Sequence, residues 1–146
     1  RQKKMTPKIT VATAQIGALT SAQVQNLSTD GLVSFSTEQV AALGSRAVGS
    51  LTTDQLVAMT SDQIEALTSA QVAALNSAAI SALSSEDLDT FSTDDIAAIT
   101  TAAIAGLSTS DISELETDQL QAITTAQIQA MNSDQVTAII AAYQAI

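Results

Sequence analysis

The chain has 146 residues, of which 46% are hydrophobic and 2% aromatic, and its formal net charge is −10 at pH 7. It contains no histidine, cysteine or tryptophan, which excludes disulfides, thiolate metal sites and imidazole-based catalysis. The acidic balance disfavours nucleic acid as a partner, and no apolar run reaches the roughly 18 residues that a membrane span needs.

The first eight residues, RQKKMTPK, form a basic arm. The arm carries Arg1, Lys3, Lys4 and Lys8, four of the five basic residues, whereas residues 9–146 hold one base and all fifteen acids. It is either a solvated tail or a segment that docks on an acidic surface of its own chain or of a neighbour. A start at Arg1 rather than Met is typical of a processed product or a fragment.

Residues 12–139 consist of sixteen consecutive octads, which we number 1 to 16. In the clearest copy, TSDQIEAL at residues 60–67, Thr60 is position 1 and Leu67 is position 8. Positions 5 and 8 are large and apolar in every copy, and position 2 is always Ser or Thr. A repeat without insertions is typical of a solenoid, in which small units stack on one another. We therefore divide the chain into the arm (1–8), the solenoid (9–139) and a C-terminal helix extension or cap (140–146).

Each octad carries the sequence signals of a helix start. Positions 1 and 4 match the capping box, in which a hydroxyl accepts from an early helical N–H and a glutamine reaches back to the cap. Of the fifteen acids, eight lie at position 3 and three at position 4, where the helix dipole favours negative charge. The predicted capping boxes include Thr52/Gln55, Thr60/Gln63, Thr68/Gln71 and Thr124/Gln127.

These signals predict an all-α solenoid of about sixteen short capped helices, one per octad, with a continuous apolar spine made by positions 5 and 8. A single long helix is disfavoured, because its apolar stripe would advance by about 80° per octad and wind around the axis. A β-solenoid is the alternative, although positions 5 and 8 would then point to opposite faces of a strand. The pattern allows two octads per superhelical turn, a rod of about 70 Å, or three, a rod of about 50 Å.

Two further positions predict the surroundings of each helix. Position 7 is Ala in ten copies, which indicates close approach to a neighbouring backbone, and position 6 is varied, which indicates exposure to water. Octads 3 and 5 depart from the consensus with Gly31 at position 4 and Gly44 at the cap. Glycine weakens a helix by about 1 kcal/mol, so these octads are sites either of drift or of a bend or contact.

The C-terminal extension contains no Ser or Thr cap, so we expect the last helix to continue beyond octad 16. The large side chains of the extension leave this end of the stack apolar. The terminal repeats of solenoids normally carry residues that cover such an apolar end. We therefore predict head-to-tail self-association. The residues assigned to the contact are Arg1, Lys3, Lys4 and Lys8 of the arm and Ile139, Ile140, Tyr143 and Ile146 at the other end.

Little in the chain suits reaction chemistry, and we expect no enzymatic activity and no cofactor. The densest acid clusters, Asp94–Asp95 and Glu86/Asp87/Asp89, lack the spacing of a calcium loop, so no specific metal site is expected. The hydroxyls at position 2 form a regular file that would suit ice binding. Helix capping explains these hydroxyls more simply.

The runs LTTDQLVAMTSDQIEALTSAQVAAL (51–75) and ITTAQIQAMNSDQV (123–136) resemble the Ala-, Gln- and Thr-rich octapeptide repeats of large bacterial secreted or surface proteins, including adhesin-like ones. The resemblance covers residues 12–139 and implies a non-enzymatic role outside a bacterial cell. Three functions remain open. The chain is a stalk, spacer or self-assembling subunit of a fibre or surface layer, a scaffold that binds another surface protein or a peptide, or a binder of ice or cations.

Overall fold

A computed structural model describes residues 13–146. Within this range every regular element is a helix and each octad forms one of them, which confirms the predicted all-α solenoid and excludes strands there. Octad 12 forms a 3-10 helix, Ile104–Gly106, and the other octads form α-helices. These are α1 Thr13–Gly17, α2 Ser21–Gln25, α3 Thr29–Val33, α4 Thr37–Ala42, α5 Ser45–Gly49, α6 Thr53–Ala58, α7 Ser61–Glu65, α8 Ser69–Val72, α9 Ser77–Ala82, α10 Ser85–Asp89, α11 Thr93–Ala98, α12 Thr109–Ser113, α13 Thr117–Ala122, α14 Thr125–Ala130 and α15 Ser133–Gln144.

The helices are capped at position 1, as the capping boxes predict, and their first helical residue is position 2. In octad 7 the Thr60 hydroxyl accepts from the Gln63 N–H at 3.1 Å, and Gln63 Oε1 accepts from the Thr60 N–H at 3.1 Å. All four capping boxes predicted by name are present. The preceding Met59 and the cap Thr60 are both extended, so the chain turns a corner between one helix and the next. In α5 the cap is Gly44, which has no side chain to accept a hydrogen bond.

Three octads make one superhelical turn. Helix α1 packs on α4, α2 on α5 and α3 on α6, and the same step of three octads recurs along the rod. The rod therefore has three sides, one for each octad of a turn. Of the two arrangements that the sequence allows, this is the shorter one, about 50 Å long at roughly 9 Å per layer.

The three sides are defined by the helices that stack on them. The first face consists of α1, α4, α7, α10, α12 and α15, and the second face consists of α2, α5, α8, α11 and α13. The third face consists of α3, α6, α9, the 3-10 helix and α14. Each face therefore takes every third octad, and residues that are far apart in sequence are brought together on it.

Positions 5 and 8 form the core, as predicted. Position 5 is buried in octads 1 to 14, and position 8 is buried in octads 4 to 14 and again at Ile139. The exceptions lie in the terminal turns, which have a neighbouring turn on one side only within residues 13–146. They are Leu19, Leu27 and Phe35 at position 8 near the N-terminal end, and Ile128, Met131 and Val136 near the C-terminal end.

Small residues at positions 6 and 7 let the turns approach closely. A Cβ added to Gly106, at position 7, would collide with the carbonyl oxygen of Ser77 in the turn before. A Cβ on Gly49, at position 6, would lie 2.7 Å from the Ala74 carbonyl oxygen in the turn after. Position 6 otherwise faces water as expected, and Val57 there is 68% exposed.

Candidate functional site

The position-4 glutamines bridge successive turns of the rod. Beyond its capping bond, Gln63 donates from Nε2 to the carbonyl oxygens of Leu32 at 3.1 Å and Phe35 at 2.9 Å. These acceptors lie at positions 5 and 8 of the octad four places earlier, at the C-terminal end of its helix. Five other glutamines do the same, namely Gln55, Gln71, Gln119, Gln127 and Gln135.

The bridge supplies hydrogen-bond donors to backbone carbonyls at the C-terminal ends of the helices. The last carbonyls of a helix have no intrahelical donor, and a left-handed residue, commonly glycine, often satisfies them. No residue with positive φ occurs between residues 13 and 146, so these corners do not use that device. The buried glutamine amide is the donor to the position-8 carbonyl and a second donor to the position-5 carbonyl, which also accepts from the backbone N–H of position 8. It therefore fixes the stacking of one turn on another.

From the sequence we assigned these glutamines to capping alone and missed the bridge. A capping box accepts Glu or Gln equally at this position. Among the sixteen octads position 4 is Gln nine times and never Glu, although the chain holds fifteen acids. That exclusion of Glu was the available signal, because only the amide has N–H groups to donate.

At the N-terminal end of the described chain, the bridge pattern begins with an unused donor. Gln23 makes its capping bond to Thr20 but donates to no carbonyl of residues 13–146. Beside it, Leu19, Leu27 and Phe35 are only partly buried. The arm residues Arg1, Lys3, Lys4 and Lys8, which we assigned to the end-to-end contact, lie outside the described residues.

At the C-terminal end, α15 runs straight on through residues 140–144 and packs on α12 and α13. The Tyr143 hydroxyl donates to the Leu120 carbonyl oxygen at 2.6 Å, the kind of acceptor that a glutamine takes elsewhere. Ile139 is 3% exposed and belongs to the core, whereas Ile140 and Ile146 are 52% and 59% exposed. The predicted end residues therefore divide into a core residue, a partly exposed capping tyrosine and two exposed isoleucines.

The acids are concentrated on the first face. Its helices and corners carry nine of the fifteen acids, against four on the second face and two on the third. No ion pair neutralises them within residues 13–146, where Arg46 on the second face is the single base. The nine are Glu38, Asp62, Glu65, Glu86, Asp87, Asp89, Asp111, Glu114 and Asp134.

Within residues 13–146 no helix is long and apolar enough to cross a bilayer, and no three potential ligands among His, Cys, Asp and Glu cluster around a point. Of the acid clusters noted in the sequence, Asp87 and Asp95 serve as capping-box acceptors for Ser84 and Ser92. The explanation of the position-2 hydroxyls by capping is wrong. Position 1 is the cap, and position 2 is the first residue of the helix, so those hydroxyls mostly face water.

Comparison with known proteins gives one family. No curated protein and no solved structure matches the chain. The family model described as the ALTTAQ repeat matches five stretches in two overlapping groups, the first made of 24–53, 32–69 and 48–77 and the second of 89–124 and 112–142. These stretches cover most of the solenoid, and the chain belongs to the ALTTAQ repeat family.

Proposed function

We propose that this repeat protein is a non-enzymatic stalk or spacer outside a bacterial cell, and that its copies join end to end into fibres. The observation that carries the proposal is the unfinished bonding at both ends of the described rod. Within the rod, position-4 amides donate to helix C-terminal carbonyls four octads earlier. Near the ends, the Gln23 amide donates to no carbonyl of residues 13–146, and the carbonyls of Ile128 and Met131 receive no glutamine amide from that range.

The two ends are complementary in hydrogen bonding. The N-terminal end presents the Gln23 amide as a donor. The C-terminal end presents the carbonyls of α14 and α15, which no glutamine of the described chain reaches. A following copy would supply the glutamine amides that these carbonyls lack, so that the series of bridges continues across the junction.

Apolar contact would add to this pairing. Leu27 and Phe35 at one end and Ile140 and Ile146 at the other are partly or largely exposed. Each large side chain removed from water contributes roughly 1.5–3 kcal/mol before association costs are subtracted. Because the two ends differ, the contact is heterologous and need not close, which favours fibres over closed dimers.

Charge favours a role for the basic arm in the same junction. The arm carries +4, and the first face of the rod carries nine acids that form no ion pair within the described chain. An arm that lies on the first face of the next copy would add an attraction that salt weakens. On this proposal Arg1, Lys3, Lys4 and Lys8 lie at the contact, as the sequence predicts.

The absence of enzymatic activity is part of the proposal, and so is the location. The position-1 hydroxyls are engaged in capping, and the chain has no histidine or cysteine to activate a nucleophile. The extracellular location is supported by the resemblance of the octads to repeats of bacterial surface proteins.

The test is light scattering over a concentration series at low and high salt, with electron microscopy of the assembled fractions. The full chain should form elongated assemblies at high concentration. Ile140→Glu should weaken assembly at both salt concentrations, whereas removal of residues 1–8 should weaken it mainly at low salt. Val57→Glu, which changes an exposed side chain on the third face, is the matched control and should assemble normally. A full chain that stays monomeric, or an Ile140→Glu variant that assembles like the control, contradicts the proposal.

A second candidate function is a scaffold that binds a basic protein segment along the first face. The concentration of nine acids on one of three faces favours it. In that case the rod should stay monomeric and bind a lysine-rich peptide saturably, with an affinity that falls as salt rises. Ice binding by the exposed position-2 hydroxyls stays a prediction that thermal hysteresis would check.

A further inference from the structure

The glutamine bridges are not spread evenly along the rod. Among the bridges whose two ends both lie within residues 13–146, three start in octads 6, 7 and 8 and three in octads 14, 15 and 16, and each reaches the octad four places earlier. The five octads between them, residues 76–115, have Ala or Asp at position 4. These residues are Ala79, Asp87, Asp95, Ala103 and Asp111.

None of these five side chains can replace the amide. Asp95 closes its capping box through the Ser92 N–H, but a carboxylate has no hydrogen to donate and is one methylene shorter than glutamine. Ala79 and Ala103 are buried without any polar group. The helix C-terminal carbonyls of octads 5 to 9 therefore receive no bridge from the following turn.

The uneven distribution can be expressed by the number of bridges that span each corner of the rod. Three bridges join residues on opposite sides of the corner after Leu43, and three others do so at the corner after Leu107. None of these bridges spans the corner after Leu75 or the corner after Leu83.

Other contacts hold the turns together around octad 9 (76–83). They are the apolar core, the bond of the Ser81 hydroxyl to the Gly106 carbonyl at 3.0 Å, and the close approach of Gly106 to Ser77. The exposed Ser61 hydroxyl also donates to Asp87 at 3.5 Å, the outer limit of a hydrogen bond. None of these contacts is a short, buried hydrogen bond from a glutamine amide, such as those that join the turns on either side of octad 9.

We infer that the rod consists of two cooperative units, residues 20–75 and 84–139, joined at octad 9 by a seam where the rod opens first. In a solenoid the stability is close to a sum of repeat terms and nearest-neighbour interface terms, so the weakest interface decides where cooperativity breaks. The inference goes beyond the proposed function. It concerns where a single rod begins to unfold, and it does not depend on whether copies of the rod associate end to end.

Native-state hydrogen exchange on the full chain, read by mass spectrometry, tests this with one destabilising change in each unit. Leu32→Ala lies in the first unit and Leu120→Ala in the second, and both side chains are fully buried. Each should speed exchange about thirtyfold or more in its own unit. Exchange in the other unit should stay within about threefold of the original chain. Loss of protection in both units from either change overturns the inference, and Ile112→Val supplies a milder perturbation if Leu120→Ala does not fold.

Restoring the bridges tests whether their absence causes the seam. In a chain that carries Ala79→Gln, Asp87→Gln, Asp95→Gln and Ala103→Gln, the effect of Leu120→Ala should spread to the first unit. Asp94→Gln is the matched control, because it makes the same chemical change at an exposed position next to Asp95. If the two units stay independent in the restored chain, or if the control couples them equally well, the seam does not come from the missing amides.

Discussion

At the scale of single residues, the position-4 glutamine makes two kinds of hydrogen bond with one side-chain amide. Its oxygen accepts from the cap of its own helix, and its nitrogen donates to a helix end in an earlier turn. Gln127, which is 1% exposed, accepts from the Thr124 N–H at 2.8 Å and donates to Ile96 and Ile99 at 2.8 and 2.7 Å. No buried side-chain polar atom of the described chain lacks a partner, so every buried glutamine amide at these corners is satisfied.

The first prediction concerns this amide. Gln127→Ala should lower the free energy of unfolding by about 2–3 kcal/mol, since it removes the hydrogen bonds of the side-chain amide and leaves the buried Ile99 carbonyl without a donor. Gln129→Ala, on the same helix but exposed at position 6, should change it by less than about 0.5 kcal/mol. Urea unfolding followed by circular dichroism measures both. Equal effects would show that the bridge contributes nothing beyond helix propensity.

The capping half of this role was predictable from sequence, and the bridging half was not. A cap joins residues three apart, such as Thr60 and Gln63, so the local pattern reveals it. A bridge joins residues 28 and 31 apart, such as Gln63 with Phe35 and Leu32. That separation depends on the number of octads per turn, which the octad pattern by itself does not encode.

At the scale of elements, most helices here have only four to six residues and could not persist alone in water. They are stable because each is capped at its start and stacked on its neighbours. This makes the stacking distance critical wherever two backbones meet. Gly106 shows the closest approach among the glycines, against the Ser77 carbonyl.

The second prediction follows from that approach. Gly106→Ala should destabilise the rod by roughly 1–3 kcal/mol, because the added methyl group meets backbone rather than a movable side chain. Gly44→Ala is the control. A Cβ there would lie 3.9 Å from the nearest atom, and its cost should stay within a few tenths of a kcal/mol. Thermal unfolding of the two variants compares them, and a neutral Gly106→Ala would mean that the turns are more loosely stacked than described.

Gly44 stands out in the sequence, and Gly106 does not. Gly44 breaks a local rule, the hydroxyl cap, and so it is visible within its own octad. Gly106 occupies a position where small residues are the norm, and its close neighbour Ser77 lies three octads away. The need for glycine there becomes visible only when the turns are stacked.

At the scale of the whole molecule, the superhelical turn creates properties that no octad has. The acids are distributed along most of the chain, from Asp30 to Asp134, and stacking by threes places nine of the fifteen on the first face. The same stacking leaves the Gln23 amide donor at one end of the described rod and helix carbonyls without a glutamine bridge at the other. Both the proposed end-to-end assembly and the seam at octad 9 depend on this geometry.

The central claim is therefore that three octads make one turn, and intramolecular cross-linking tests it most directly. The chain has no cysteine, so the two introduced cysteines are the only thiols that can react with a cross-linking reagent. Val57→Cys with Ser81→Cys places thiols three octads apart on the third face, in exposed positions on stacked helices α6 and α9. Val57→Cys with Ala41→Cys places them two octads apart on different faces.

The measurement is the yield of monomeric cross-linked product with a bis-thiol reagent that spans about 10 Å, close to one helix spacing. The 57/81 pair should react efficiently and the 41/57 pair should not. Efficient linkage of the 41/57 pair together with failure of the 57/81 pair would show two octads per turn. That result would contradict the three-sided rod, its glutamine bridges and the acidic first face together.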